Sequence, residues 1–278
     1  MKFTKMHGLG NDYIYINLFE EKEEDFSELA KVLSRRHFSI GADGIVTISK
    51  SDKADFFMQI YNADGTKGEM CGNGIRCVAK YVYEKGLTDK TKITIDTLAG
   101  IKTLELFVNN GKVETVKVDM GIPTMHDGRE LNKDLLTHTI DALGQSFEVM
   151  DISMGNPHTV IFVQELSDYL VLQVGKSIES NPYYPNRTNV EFVKILDENT
   201  LQMRVYERGS GETMACGTGS CATAVAYMLK NSKINEVTIK LLGGDLKITK
   251  AENHHIFMEG PATKVFDGEV DIKEIIKK

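Results

Sequence analysis

No stretch of this sequence approaches the roughly 18 consecutive apolar residues that a membrane-spanning helix needs. Its opening, MKFTKMHGLGNDYIYIN, holds no apolar core of signal-peptide length. These absences lead to the expectation of a cytoplasmic chain with no membrane partner. Basic clusters are missing as well. With a formal net charge of −7 and 26% charged residues, nothing in the balance invites nucleic acid or another polyanion as a partner. Cysteine is scarce, with four in 278 residues, and in a reducing compartment such residues are expected to be thiols rather than bridges. Hydrophobic residues, at 41%, suffice for one large or two moderate domains with real cores.

The placement of those cysteines is the informative feature. Met70 to Cys77 reads MCGNGIRC and Ala215 to Cys221 reads ACGTGSC, so Cys71 and Cys216, 145 positions apart, each precede Gly-x-Gly. The same offset carries Gly10-Asn11 onto Gly155-Asn156, each pair followed by an apolar strand pattern, YIYIN or TVIFV. At an offset of 144, ITIDTLAG at 93–100 lies on VTIKLLGG at 237–244. Solenoid repeats run about 20 to 50 residues; a period this long is the length of a domain and implies a duplication. The expected halves are residues 1–119, completed by 265–278, and residues 120–264.

Local patterns give each half both strands and helices. Alternation in TKITIDT, KTLELFV, KVETVKV, EVTIKLL and DLKITK predicts sheets. Apolar positions Ile75, Val78, Ala79 and Val82 predict a helix over 73–84, stopped at Gly86. TGSCATAVAYML, small or apolar almost all round, predicts a helix inside a core at 218–229. A surface helix is expected near Asp25, with Glu28 three residues on as a capping box. The fold class expected is α+β: two pseudosymmetric domains, each a mostly antiparallel or mixed sheet wrapped around a central helix, with the site in the cleft between them.

A cysteine just ahead of a helix meets exposed backbone NH groups and the positive end of the helix dipole, both of which favour thiolate. Glycines there let the same NH groups approach an anion such as a carboxylate. Two such motifs facing one carbon suggest stereoinversion, with a thiolate removing the α-proton from one face and a thiol delivering one to the other. No pyridoxal lysine signal offers another electron sink, so a racemase or epimerase without cofactor is expected. Zinc ligation by Cys71, Cys77, Cys216 and Cys221 lacks the usual C-x2-4-C spacing, so no metal is expected. The glycines lack the Gly-Lys-Ser/Thr ending of a phosphate loop. A Cys71–Cys77 bridge is disfavoured by helical geometry, and Cys77 and Cys221 read as packing residues.

Four segments together resemble the diaminopimelate epimerase family: KMHGLGNDY at 5–13, YNADGTKGEMCGNGIRC at 61–77, SMGNPH at 153–158 and RVYERGSGETMACGTG at 204–219. The resemblance extends across essentially the whole chain. It implies conversion of LL-diaminopimelate to the meso isomer without a cofactor, on the route to lysine and cell-wall peptide, by two similar α/β domains. It also implies that Cys71 and Cys216 are the catalytic acid/base pair, and that backbone NH groups of Gly72, Asn73, Gly217 and Thr218 hold the reacting carboxylate. Asn62, Asn156, Asn189 and Arg208 would grip the distal end of the substrate. Asn11, His158 and Glu207 would line the site, the last two orienting the amino group and the thiols. Members of the family are often homodimers.

The residue types suit these roles, since Arg208 can bind a carboxylate bidentately and an asparagine both donates and accepts. At the 145 offset Asn62 falls on Glu207 and Gly44 on Asn189, a divergence that an asymmetric ligand would require. Gly44 departs from the family pattern, in which some members carry a glutamine toward the ligand, and it is left out of the expected site. The nearest alternative is a racemase of the proline type, whose substrate would not need Arg208 or this set of asparagines. A non-catalytic binding protein would keep the anion cradle but not both cysteines.

Overall fold

The computed structural model describes residues 1–132 and 136–276. Positions 133–135 and 277–278, which fall in the expected segments 120–264 and 265–278, lie outside them. The chain forms two compact units, Met1–Val118 with Gly260–Lys278, and Asp119–Glu259.

In chain order the first unit contributes β1 (Lys2–Gly8), β2 (Asn11–Asn17), α1 (Phe26–Leu33), β3 (Gly44–Ser49), β4 (Phe56–Asn62), β5 (Lys67–Gly68), α2 (Gly72–Glu84), β6 (Lys92–Thr97), β7 (Gly100–Asn109) and β8 (Lys112–Gly121). The second contributes β9 (Thr137–Ala142), β10 (Gln145–Ser153), β11 (Pro157–Phe162), α3 (Gly175–Glu179), β12 (Asn189–Asp197), β13 (Thr200–Glu207), β14 (Gly211–Glu212), α4 (Gly217–Lys230), β15 (Glu236–Leu241), β16 (Gly244–Lys250) and β17 (Ile256–Pro261). The chain then returns to the first unit with β18 (Thr263–Glu269).

The pairing in the two units is the same. The first runs β18–β1–β2–β3–β4–β6–β7–β8, with only β2–β3 and β4–β6 parallel. The second runs β9–β10–β11–β12–β13–β15–β16–β17, with only β11–β12 and β13–β15 parallel. Even the register repeats: Tyr13 pairs with Gly44 and His158 with Asn189, each 145 residues on. The fold is therefore α+β, two units of mixed sheet, and the duplication seen in the motifs extends to every major strand.

One long helix fills each unit. α2 packs against β1, β2 and β7, and α4 against β10 to β13, β15 and β16. Ile75, Cys77, Val78, Ala79 and Val82 are fully buried on α2, and every residue from Gly219 to Met228 is buried on α4. Burial at about 1.5–3 kcal/mol per large apolar side chain outweighs the modest helix propensity of Gly, Thr and Val in these segments. α1 begins where expected, with the Asp25 carboxylate accepting from Glu28 N, but the Glu28 carboxylate accepts from Lys31 at 2.6 Å instead of completing the capping box. The helix closes a second cluster of Phe3, Ile14, Ile16, Phe26, Leu29 and Leu33 in the first unit. In the second unit the corresponding layer is built around Val149, Ile161, Val174, Ile178 and Phe192. No helix among the described residues is long and apolar enough to cross a membrane.

Candidate active site

Each Cys-Gly-x-Gly motif folds in the same way. Cys71 is the N-cap of α2 at φ −131°, ψ 115°, and Cys216 the N-cap of α4 at φ −112°, ψ 112°. Both are extended residues immediately before a helix. Each thiol sulfur turns back to accept from the NH of the third helical residue, at 3.3 Å from Gly74 N and 3.3 Å from Gly219 N. This is the place a Ser or Asp side chain usually takes. The NH groups of Gly72 and Asn73, and of Gly217 and Thr218, stand in the first turn, where the helix itself supplies no carbonyl.

In the first unit Cys71 meets a polar side chain. The thiol donates to Asn11 Oδ1 at 3.1 Å. Asn11 can face the sulfur only with its oxygen, because its amide nitrogen donates to Asp43 Oδ2 at 2.8 Å. Asp43 is held in turn by Asp12 N at 3.0 Å and Arg36 at 3.1 Å. The Tyr13 hydroxyl, deep in the same unit, is pushed well above its ordinary pKa by burial and then by the negative charge Cys71 can carry. Asn73 is buried and spends its side-chain oxygen on Arg76 at 3.0 Å. Asn62 ends β4 in a tight turn, with Gly65 N donating to its carbonyl at 2.8 Å and its amide donating to Thr66 Oγ1 at 3.0 Å.

The second unit is richer in titratable groups. From Cys216 a chain of polar contacts runs to Thr218 Oγ1 at 3.6 Å, on to Asn156 Nδ2 at 3.3 Å, then from Asn156 Oδ1 to His158 Nε2 at 3.1 Å, and from His158 Nδ1 to Glu191 Oε1 at 2.7 Å. Burial, then the carboxylates of Glu207 and Glu191, push the Cys216 thiol well above its ordinary pKa. Glu207 accepts from the Thr213 hydroxyl. Asn189 braces the neighbouring loop, donating to Pro157 O at 2.8 Å and accepting from Arg208 N at 2.9 Å. The Arg208 side chain reaches Asn186 O at 3.2 Å. One ligand atom each from His158, Glu191 and Cys216 lie within 4.8 Å of one another, a set that could hold a metal ion. The 2.7 Å contact joins two of those ligand groups to each other by a hydrogen bond instead.

Of the residues expected from the sequence, Asn11 meets Cys71 at the start of α2, where Gly72 and Asn73 follow, while Asn62 is bonded within its own turn. In the second unit Asn156, His158, Thr218 and Cys216 form one chain of contacts, and Asn189 joins Arg208 N. The family model of diaminopimelate epimerase matches residues 3–126 and 150–265 of this chain. The chain belongs to the diaminopimelate epimerase family. It is 52% identical over 280 residues to the diaminopimelate epimerase of Acetivibrio thermocellus, covering 99% of this chain and 100% of that one. It is 50% identical over 278 residues to that of Methanococcus maripaludis strain S2, covering 98% and 100%.

Among solved structures it shares its fold with a probable proline racemase from Agrobacterium radiobacter K84, at a TM-score of 0.73 and 14% identity over 98% of this chain and 93% of that one. A phenazine biosynthesis protein of the PhzF family from Bacillus anthracis gives a TM-score of 0.70 at 20% identity, over 98% and 99%. As a member of the epimerase family this chain is an isomerase.

Three residues of this family member escaped the sequence reading. Asp43 lies in GADG, a segment too generic to count by itself, yet it sets the orientation of Asn11. Arg76 sits inside the quoted MCGNGIRC and is fully buried; a cation among the apolar positions of a predicted helix, four residues after a glycine, was the available signal. Glu191 lies in the strand run NVEFV, between the core residues Val190 and Phe192, and a period-2 reading puts it on the face opposite them, so the sequence pattern carries no signal for its burial. At Gly44 the packing leaves little room for a side chain: a Cβ there would collide with the Tyr61 carbonyl oxygen and lie 3.1 Å from the Tyr13 ring.

Proposed function

We propose that this isomerase interconverts LL- and meso-diaminopimelate by a two-base thiol mechanism without a cofactor, supplying lysine and cell-wall peptide synthesis. One thiolate, of Cys71 or Cys216, takes the α-proton as the Cα–H bond breaks. The electron pair moves into the adjoining carboxylate, which backbone NH groups at a helix start stabilise. The other thiol gives its proton to the opposite face of the same carbon, so the reaction ends with the first sulfur protonated and the second a thiolate. Asn62, Asn156, Asn189 and Arg208 would bind the distal carboxylate and ammonium, and Asn11, His158 and Glu207 would line the pocket.

The observation that carries this reading is the matched pair of N-caps, in which each sulfur lies 3.3 Å from a helix-start NH. A packing cysteine has no reason to recur at both helix starts with the same backbone geometry. Family membership supports the substrate. The test is exchange of the α-hydrogen of LL-diaminopimelate with solvent deuterium by purified protein, with no pyridoxal phosphate or metal added. Uptake into proline and not into diaminopimelate would overturn the assignment in favour of a proline-type racemase, and loss of activity on chelation would revive metal chemistry.

A further inference from the structure

Glu191 is a fully buried carboxylate on β12, and the duplication shows that the fold does not need it. The position 145 residues earlier is Val46, equally buried and in the same strand register, Tyr15 opposite Val46 and Val160 opposite Glu191. An apolar side chain serves the first unit there. Its strand neighbour differs in parallel: where the first unit has Tyr13, the second has His158, 145 positions on. The two substitutions meet, since His158 Nδ1 lies 2.7 Å from Glu191 Oε1 and neither side chain is exposed.

A buried carboxylate is destabilising unless its oxygens are met, and among the described residues Glu191 Oε2 has no hydrogen-bond partner. A group retained against that penalty, in one half of a duplicated fold only, points to function rather than packing. Its location agrees. A Cβ on Gly219 would come within 2.5 Å of Glu191 Oε1 and 3.2 Å of Cys216 Sγ, so carboxylate and sulfur flank the same bare turn of α4.

We propose that Glu191 is the positioning residue of the second half-site, its carboxylate holding the His158 ring through Nδ1. The ring then has one orientation, with Nε2 toward Asn156, and the contacts from Asn156 through Thr218 to Cys216 stay in register. This rests on the reading of Cys216 as one of the two acid/base thiols. It makes the halves unequal: Asn11 and Asp43 orient the first thiol, and a histidine–carboxylate pair supports the second.

Glu191→Gln keeps the size and loses the charge, while Glu191→Asp keeps the charge and shortens the reach. Both are expected to lower kcat for diaminopimelate epimerisation about 10- to 100-fold, as loss of a carboxylate that orients a histidine does elsewhere, with KM within about twofold. Without substrate, proton NMR of the wild type should show a strongly deshielded Hδ1 of His158, assigned by its loss in His158→Asn, and Glu191→Gln should shift it upfield. Wild-type kcat in either folded variant, a change in KM alone, or an unchanged Hδ1 signal in Glu191→Gln would overturn the proposal. Should Glu191→Gln not fold, kcat of Glu191→Asp decides. If the wild type does not act on diaminopimelate, the functional reading falls while the NMR signal still tests the positioning role.

Discussion

Arg76 Nη2 donates to the side-chain oxygen of Asn73 at 3.0 Å, one turn away on α2, from a fully buried guanidinium. The same group donates from Nη1 to Gly72 O and from Nε to Pro261 O, each at 3.1 Å. One cation thus ties the start of the helix that carries Cys71 to the segment that returns from the second unit. Replacing it with an apolar side chain removes all three of these charge-assisted hydrogen bonds, at about 1–3 kcal/mol each. Arg76→Met is expected to lower unfolding free energy by about 2–5 kcal/mol, measured in urea. Stability within about 0.5 kcal/mol of wild type would show that these contacts contribute little.

Cys71→Ser and Cys216→Ser are each expected to lower the rate of epimerisation by about 10²- to 10⁴-fold, the usual contribution of a positioned acid or base. A hydroxyl keeps the N-cap contact but holds its proton too tightly at neutral pH. Steady-state rates from either diaminopimelate isomer measure this. A serine variant with wild-type rates would remove that cysteine from the mechanism.

Gly44→Gln would introduce the side chain that some relatives carry, into a position whose Cβ collides with the Tyr61 carbonyl oxygen. The Tyr13 ring lies 3.1 Å from the same Cβ, closer than ordinary van der Waals contact. The variant is expected to lose about 1–3 kcal/mol, the range for overpacking, by thermal melting. A gain in stability would mean that Tyr13 and β4 yield readily.

Burial raises the Cys77 thiol from its ordinary value of 9.0 to about 11. In the unfolded chain the thiol ionises near 9 while the folded protein still binds the proton. Its contribution is therefore fully present below pH 9 and is lost as pH rises from 9 to 11, an effect on the order of 3 kcal/mol. Unfolding free energies measured across that window should show wild type falling relative to Cys77→Ala by about 3 kcal/mol, with a constant difference below pH 9. Alanine is the residue the second unit has at the matching position, Ala222. Parallel curves would assign the alkaline limb to other groups.

Much of the fold was legible because duplication leaves a signal that one sequence can show against itself. Cys71 and Cys216, Asn11 and Asn156, and the strand patterns at 93–100 and 237–244 keep their spacing. Helix limits fell within a residue of expectation, Gly72 for Asn73 and Gly217 for Thr218, because a cysteine N-cap has an extended backbone and the glycine after it enters the helix freely. Cys77 and Cys221 are buried as their place in apolar helices implied. Asp43, Arg76 and Glu191 were harder to see, because a charged residue in sequence carries no mark of whether its partner lies in water or in a strand far along the chain.

By itself the sequence determined the repeat, the two helix-start thiols, the family and the set of polar residues, all of which depend on residue type and spacing along the chain. The tertiary structure decided which atoms those residues spend on one another. Parallel pairing of β11 with β12 brings His158 against Glu191, 33 residues away in sequence, and parallel pairing of β2 with β3 places Asn11 between Asp43 and Cys71. Hydrogen bonds act over about 3 Å, and only the register of strands distant in sequence sets distances on that scale.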